Sequence, residues 1–239
     1  MRVGLSHSAI CWLVLPLVMC AWSLAPHPAA GSTFRETAAQ RPGPGGALRI
    51  LAGIPQSNES LGRSTARVVV KLYGDLECPL CRDFVLSHAF ARLISRDVRT
   101  GRVRIVYDSL CTATCNGPAG RRGFISQQVA AYAAGAQRRF WQYAIRFLEQ
   151  QGPEDTNYLT EAFLDRLAHE VSGLEFTRWL RDRSNLALAS EVRNQDRTAN
   201  RQNIQLTPAL IVVGPHGTRR LTNGLPTFKQ IQAAFTAVS

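Results

Sequence analysis

The sequence predicts an α/β fold in which a short mixed sheet is flanked by helices and carries an inserted all-helical subdomain. Three observations lead there. Apolar, β-branched stretches recur at residues 66–73, 101–108 and 205–213. The interval of about 117–203 has helical periodicity almost throughout, so a helical block separates the second stretch from the third. The resulting order (strand, helix, strand, helices, strand, strand, helix) folds into one sheet covered by helices. At 239 residues and 45% hydrophobic, the chain can bury one core plus a modest insertion, which excludes a disordered tail or a peptide-sized scaffold.

At the amino terminus, Arg2 precedes an uncharged, mostly apolar run at 9–25 and then the small residues of HPAAGS. Residues 1–30 therefore read as a signal peptide or signal anchor. A full membrane span needs about 20 apolar residues, and Pro16 interrupts this shorter one. Uncleaved, it would tether the rest of the chain to a membrane. Residues 31–46, ending RPGPGG, offer no packable face and read as a flexible linker.

The folded domain is expected over 47–239. Its strand at 66–73 (ARVVVKLY) is continuous enough to be central and buried, and it runs through Gly74 toward a helix at 82–95. Leu86, Phe90, Leu93 and Ile94 share one face of that helix. The strand at 101–108 (GRVRIVYD) alternates. Gly152-Pro153 and Ser172-Gly173 break the helical block. After it come a strand at 205–213 (QLTPALIVV), a turn at 214–217, a short strand at 218–221 and a closing helix at 226–237.

Basic residues number 28 against 17 acidic, a net charge of +11, and nearly all are arginine, with Lys71 and Lys229 as the lysines. Arg35, Arg63, Arg96, Arg138, Arg181 and Arg219 are scattered, without the aromatic-interleaved stripe of a nucleic-acid surface, so no nucleic-acid partner is expected. Cys11 and Cys20 fall in the leader, which leaves Cys78, Cys81, Cys111 and Cys115. An even number in an exported chain favours disulfide chemistry, because oxidising compartments let the bond persist.

Cys78-Pro79-Leu80-Cys81 lies where a strand gives way to a helix. Two thiols at this spacing can close a small disulfide ring, while the first sulfur faces free N–H groups of the helix end. Those donors stabilise a thiolate, the form that attacks disulfides. A helix terminus contributes up to about 2 kcal/mol, or about 1.5 pKa units, which brings a thiol from about 8.5 to about 7. Pro79 suits the first helical position, where its missing N–H is no loss. Cys78 is thus the expected exposed nucleophile and Cys81 the sheltered resolving thiol. Thr207-Pro208, opening the third strand, is compatible with a cis peptide, which would present the Thr207 backbone to an extended client peptide.

Tyr73-Gly74-Asp75-Leu76-Glu77-Cys78-Pro79-Leu80-Cys81, together with Gly53-Ile54-Pro55-Gln56, Leu61-Gly62, Phe140-Trp141-Gln142-Tyr143 and Thr207-Pro208, resembles the DsbA-like branch of the thioredoxin superfamily. The resemblance covers residues 53–235. It implies a thioredoxin-like fold with a helical insertion, and thiol–disulfide exchange on exported client proteins in the periplasm or cell envelope. It also implies Cys78 as nucleophile, Cys81 as resolving cysteine, Pro208 as the cis-proline, and a quinone-linked membrane partner that reoxidises the pair. Leu80 stands where the best-known member of the branch has histidine, so the thiolate is expected to be less stabilised and the disulfide less oxidising. Oxidase work is still favoured over isomerase or reductase work. The alternative is a non-catalytic metal- or client-binding module on the same fold, with the four cysteines as ligands.

Cys111 and Cys115 read as a structural disulfide, with a second redox pair as the alternative. Pro79, Leu80 and Thr207 are the expected client contacts. Asp75 and Glu77 flank the nucleophile and either cap the strand end or shuttle a proton. His88, His169 and His216 have no ligand spacing, so neither a metal nor any cofactor is expected. Trp141 and Tyr143, at helical spacing, read as core, and Arg82 as a solvated first-turn residue. Asn58-Glu59-Ser60 matches a glycosylation sequon, meaningful only in a eukaryotic secretory pathway.

Overall fold

The computed structural model describes residues 46–239; the leader expected at 1–30 and all but the last residue of the linker expected at 31–46 lie outside the described residues. The chain opens with α1 (Gly46–Arg49) and a hairpin of β1 (Gln56–Ser57) and β2 (Ser60–Leu61), then forms the central strand β3 (Val68–Gly74). Next come α2 (Pro79–Val85), α3 (His88–Leu93) with a π-helical turn at Ile94–Val98, and β4 (Val103–Ser109). The helical block comprises α4 (Ala113–Asn116), α5 (Gly120–Gly135), α6 (Phe140–Glu149), α7 (Glu161–Glu170), α8 (Phe176–Arg183) and α9 (Leu186–Arg201). The strands β5 (Ala209–Gly214) and β6 (Gly217–Leu221) and the helix α10 (Phe228–Val238) complete the domain.

The sheet order is β1-β2-β4-β3-β5-β6. β3 and β4 are parallel from Val68 opposite Val103 to Gly74 opposite Ser109, with α2 and α3 supplying the crossover that parallel pairing requires. β5 runs antiparallel to β3, with Ala209 opposite Tyr73. This register sets the carboxyl end of β3 and the amino end of β5 at the same edge of the sheet.

Core chemistry explains the pattern. Val103, Ile105 and Tyr107 of β4 alternate inward, and Tyr107 meets Phe140 at 5.0 Å between ring centroids. Trp141 stacks on Phe90 at 5.9 Å. The indole N–H of Trp141 donates to the Glu59 carbonyl (3.0 Å), and the Tyr143 hydroxyl to the Leu164 carbonyl (3.0 Å), so both buried polar tips are satisfied. Gly74 is required by close packing, since a Cβ there would stand 2.6 Å from the Tyr107 ring. No helix among the described residues is long and apolar enough to cross a membrane.

Three elements differ from expectation. The helix expected over 82–95 is two helices: the chain turns at Leu86, and the Ser87 side chain accepts from Phe90 N–H (3.1 Å), capping a new start. β5 begins at Ala209 rather than at residue 205, because the preceding residues form a loop in which Gln205 and Leu206 are exposed. The β1–β2 hairpin, two residues per strand, is too short to leave a period, and it turns through Asn58 at φ 49°.

Candidate active site

Cys78 is the N-cap of α2, with extended backbone (φ −70°, ψ 119°), and Pro79 is the first helical residue. The Cys78 carbonyl accepts from Arg82 N–H (3.1 Å), which starts the helix. The sulfur sits over a first turn whose remaining N–H groups lack helical partners. From the other side of the sheet edge, the Thr207 carbonyl accepts from Cys78 Sγ at 3.4 Å, and the Thr207–Pro208 peptide is cis. Cys78 and Cys81 are both free thiols in this structure.

Exposure is where expectation fails. Cys78 is only 6% exposed, nearly as buried as Cys81 at 5%, because the Thr207–Pro208 loop lies against it. The exposed neighbours are Leu80, at 45%, and Leu206, at 61%. Thr207 and Pro208 are buried and Pro79 half-buried.

Burial notwithstanding, the Cys78 thiol is pulled down from 9.0 to about 7. The hydrogen bond from the Cys81 thiol contributes most. Burial opposes it, the Thr207 side chain and the Cys81 N–H assist, and the Asp75 charge opposes. The helix end alone was expected to reach the same value; here the neighbouring thiol supplies the largest part. Burial, reinforced by Cys78, pushes the Cys81 thiol well up, so the two sulfurs separate into an ionisable and a protonated partner.

Beneath the pair lies Asp75, fully buried. Its Oδ1 accepts from Glu77 N–H (3.1 Å), and its Oδ2 from Thr112 N–H (2.9 Å) and Thr114 N–H (3.0 Å). The Thr114 hydroxyl donates to Oδ1, and Gln127 Nε2 reaches the same oxygen at 3.3 Å. Burial raises the Asp75 pKa against the pull of those donors. Glu77, also buried, is pushed up to about 7, first by burial and also by the Asp75 charge. At the end of β3, Asp75 closes the turn by accepting from Glu77 N–H, as a strand-end cap does, and ties that turn to the loop after β4. A small cavity of about 10 Å³ is lined by Asp75, Cys81, Tyr107 and Pro208 among others.

Cys111 and Cys115 are joined by a disulfide with a Cα–Cα distance of 5.7 Å, closing the turn from β4 into α4. Four free thiols therefore do not converge, and no three of His, Cys, Asp and Glu among the described residues are placed to ligate a metal. His88, His169 and His216 are exposed. Arg82 lies beside Asp83, with 3.3 Å between Nε and Oδ1. Sequence reasoning missed Thr112, Thr114, Gln127 and Leu206, whose importance comes from long-range contacts or exposure that no local spacing encodes.

A family model described as thioredoxin matches residues 56–234. No curated protein sequence matches the chain. Among solved structures, oxidised BdbD from Bacillus subtilis aligns with a TM-score of 0.63 at 19% identity, covering 75% of this chain and 91% of that one. DsbA2 of Pseudomonas aeruginosa aligns at 0.58 and 19% identity, covering 77% and 94%. DsbA of Chlamydia trachomatis aligns at 0.59 and 16% identity, covering 77% and 92%. At these identities the likeness establishes a shared DsbA-like architecture.

Proposed function

We propose that this chain, which belongs to the thioredoxin family, is an exported thiol–disulfide oxidoreductase that works through Cys78 and Cys81. One observation carries the reading. A thiol lowered to about 7 caps a helix, hydrogen-bonded by a neighbour that stays protonated, and presses against a loop from another strand. Disulfide exchange needs this asymmetry: one sulfur attacks or is attacked, and the other leaves with a proton or returns to resolve.

In the oxidising direction, a client thiolate attacks Cys78 of the Cys78–Cys81 disulfide. A mixed disulfide forms and the Cys81 thiolate leaves, taking up a proton near Asp75. The client's second thiolate then attacks its own bridged sulfur and expels Cys78. Two electrons have moved from the client dithiol to the enzyme pair. A quinone-linked membrane partner collects them, and the reaction runs in the periplasm or cell envelope. Pro79, Leu80 and Leu206 offer contacts for client side chains, and the Thr207 backbone lies alongside an extended client.

The test is a trap. In Cys81→Ala, the resolving sulfur is gone, so exposure to an unfolded client carrying an activated disulfide should leave a covalent adduct at Cys78 that dithiothreitol releases. Absence of an adduct, together with stoichiometric zinc in the purified protein, would overturn the reading in favour of a binding module.

A further inference from the structure

We propose that Thr112, in the loop closed by the Cys111–Cys115 bridge, is a positioning residue for Cys78, acting by clamping the Thr207 side chain; this deepens the oxidoreductase reading and rests on it. The Thr112 and Thr207 hydroxyl oxygens are 2.6 Å apart. Thr207 in turn meets Cys78: its main-chain carbonyl accepts from the sulfur at 3.4 Å, and its side chain helps to lower the Cys78 pKa. Thr112, the N-cap of α4, is thus one residue removed from the reacting sulfur.

Three attachments fix Thr112. Its N–H donates to the buried Asp75 carboxylate (2.9 Å), and its hydroxyl also lies 3.4 Å from Asp75 Oδ2. The Cys111 N–H donates to Asp196 Oδ1 on α9 (2.9 Å), and Arg121 of α5 holds the other oxygen of Asp196 (2.8 Å). The disulfide then closes the loop from Cys111 to Cys115. A hydroxyl has one proton to give. In the arrangement proposed, Thr112 gives its proton across the 2.6 Å contact to Thr207 rather than across 3.4 Å to Asp75 Oδ2, which two main-chain N–H groups already serve, and the Thr207 proton is left for the Cys78 sulfur; successive donors along such a chain strengthen one another. Without the clamp, Thr207 loses a fixed orientation and the thiolate loses an aligned donor. The charged and titratable groups around that sulfur include Cys81 on α2, Asp75 in the turn after β3 and the buried Glu77 directly before Cys78, itself pushed up to about 7. The Thr112 substitution leaves all three in place.

The experiment follows alkylation of reduced Cys78 by iodoacetamide against pH in the full chain, in wild type, Thr112→Val, Thr112→Ser and Cys111→Ala/Cys115→Ala, with thermal melting as the control. Thr112→Val should raise the midpoint by about half a unit, roughly a threefold loss of thiolate below the midpoint, the weight of one ordinary hydrogen bond. Thr112→Ser should restore it, and the bridge variant should reproduce the Val shift without adding to it when the two are combined. An unchanged midpoint in Thr112→Val, or a Ser variant shifted as far as Val, overturns the role of Thr112. A bridge variant with the wild-type midpoint overturns the assignment of the loop's hold to the disulfide. A wild-type midpoint at an ordinary thiol's pH, with no adduct in the Cys81→Ala trap, instead defeats the parent reading, and this inference with it.

Discussion

Ionisation of Cys78 makes the reduction potential of the pair depend on pH in a way that can be worked out in advance. The reduced, folded state carries a thiol near 7 where an ordinary one stands at 9.0. A native pKa below the unfolded one stabilises the reduced fold fully above 9.0, and the effect disappears as pH falls through 7. Integrating over this window gives about 0.4 kcal/mol at pH 7 and about 2.3 kcal/mol at pH 9. The disulfide form has no such proton, so the Cys78 shift alone makes the pair more oxidising than the same pair with an ordinary thiol at Cys78 by about 9 mV and about 50 mV at those pH values. Cys81, pushed upward, stays protonated across the window. The assay is iodoacetamide alkylation with thiolate absorbance at each pH, and Cys81→Ala is the decisive variant. Removing the largest stabilising donor, a hydrogen bond to a charged group worth about 1.5–3 kcal/mol, should raise the midpoint by about one unit or more. A wild-type midpoint at 9.0, or a Cys81→Ala midpoint still at 7, would refute the assignment of cause.

Gly74→Ala should lower stability by about 1–3 kcal/mol in denaturant melts, because its Cβ would meet the Tyr107 ring at 2.6 Å; an unchanged midpoint would mean that the ring moves freely. Glu77→Gln should raise the melting temperature at pH 8 and leave it unchanged near pH 4. The buried carboxyl, pushed up to about 7, weakens the fold as it ionises above its unfolded value of 4.5, and glutamine removes that charge. Leu206→Ser should raise KM for a reduced, unfolded polypeptide while leaving reaction with glutathione disulfide unaffected, since the exposed leucine lies beside the site and outside its chemistry.

What the sequence made legible divides by range. The central strand, its alternating parallel neighbour and the helical block appear because β-branched runs and 3.6-residue periods are local properties. Cys78 to Cys81 is legible for the same reason, since strand, cysteine, proline and helix follow one another directly. Leu86-Ser87 carries no glycine or proline, so the break between α2 and α3 left no mark, although Ser87 is a good cap. Asp75 was visible as a neighbour of the nucleophile, but its partners Thr112, Thr114 and Gln127 were not. Their hydrogen bonds depend on β4 lying beside β3 and on α5 packing across that end, which no window of residues reports. The burial of Cys78 belongs to the same class, as the covering loop arrives from far along the chain.

That distance has its own consequence. Cys78 and the Thr207 carbonyl it meets are 129 residues apart, with the whole helical block between them. A chain emerging from the ribosome exposes Cys78 long before Thr207 exists, and during that interval the thiol lacks part of what acidifies it. The Thr207 side chain's share of that acidity thus waits on the last strands, whereas Cys81, the larger contributor, follows Cys78 by three residues and arrives with it.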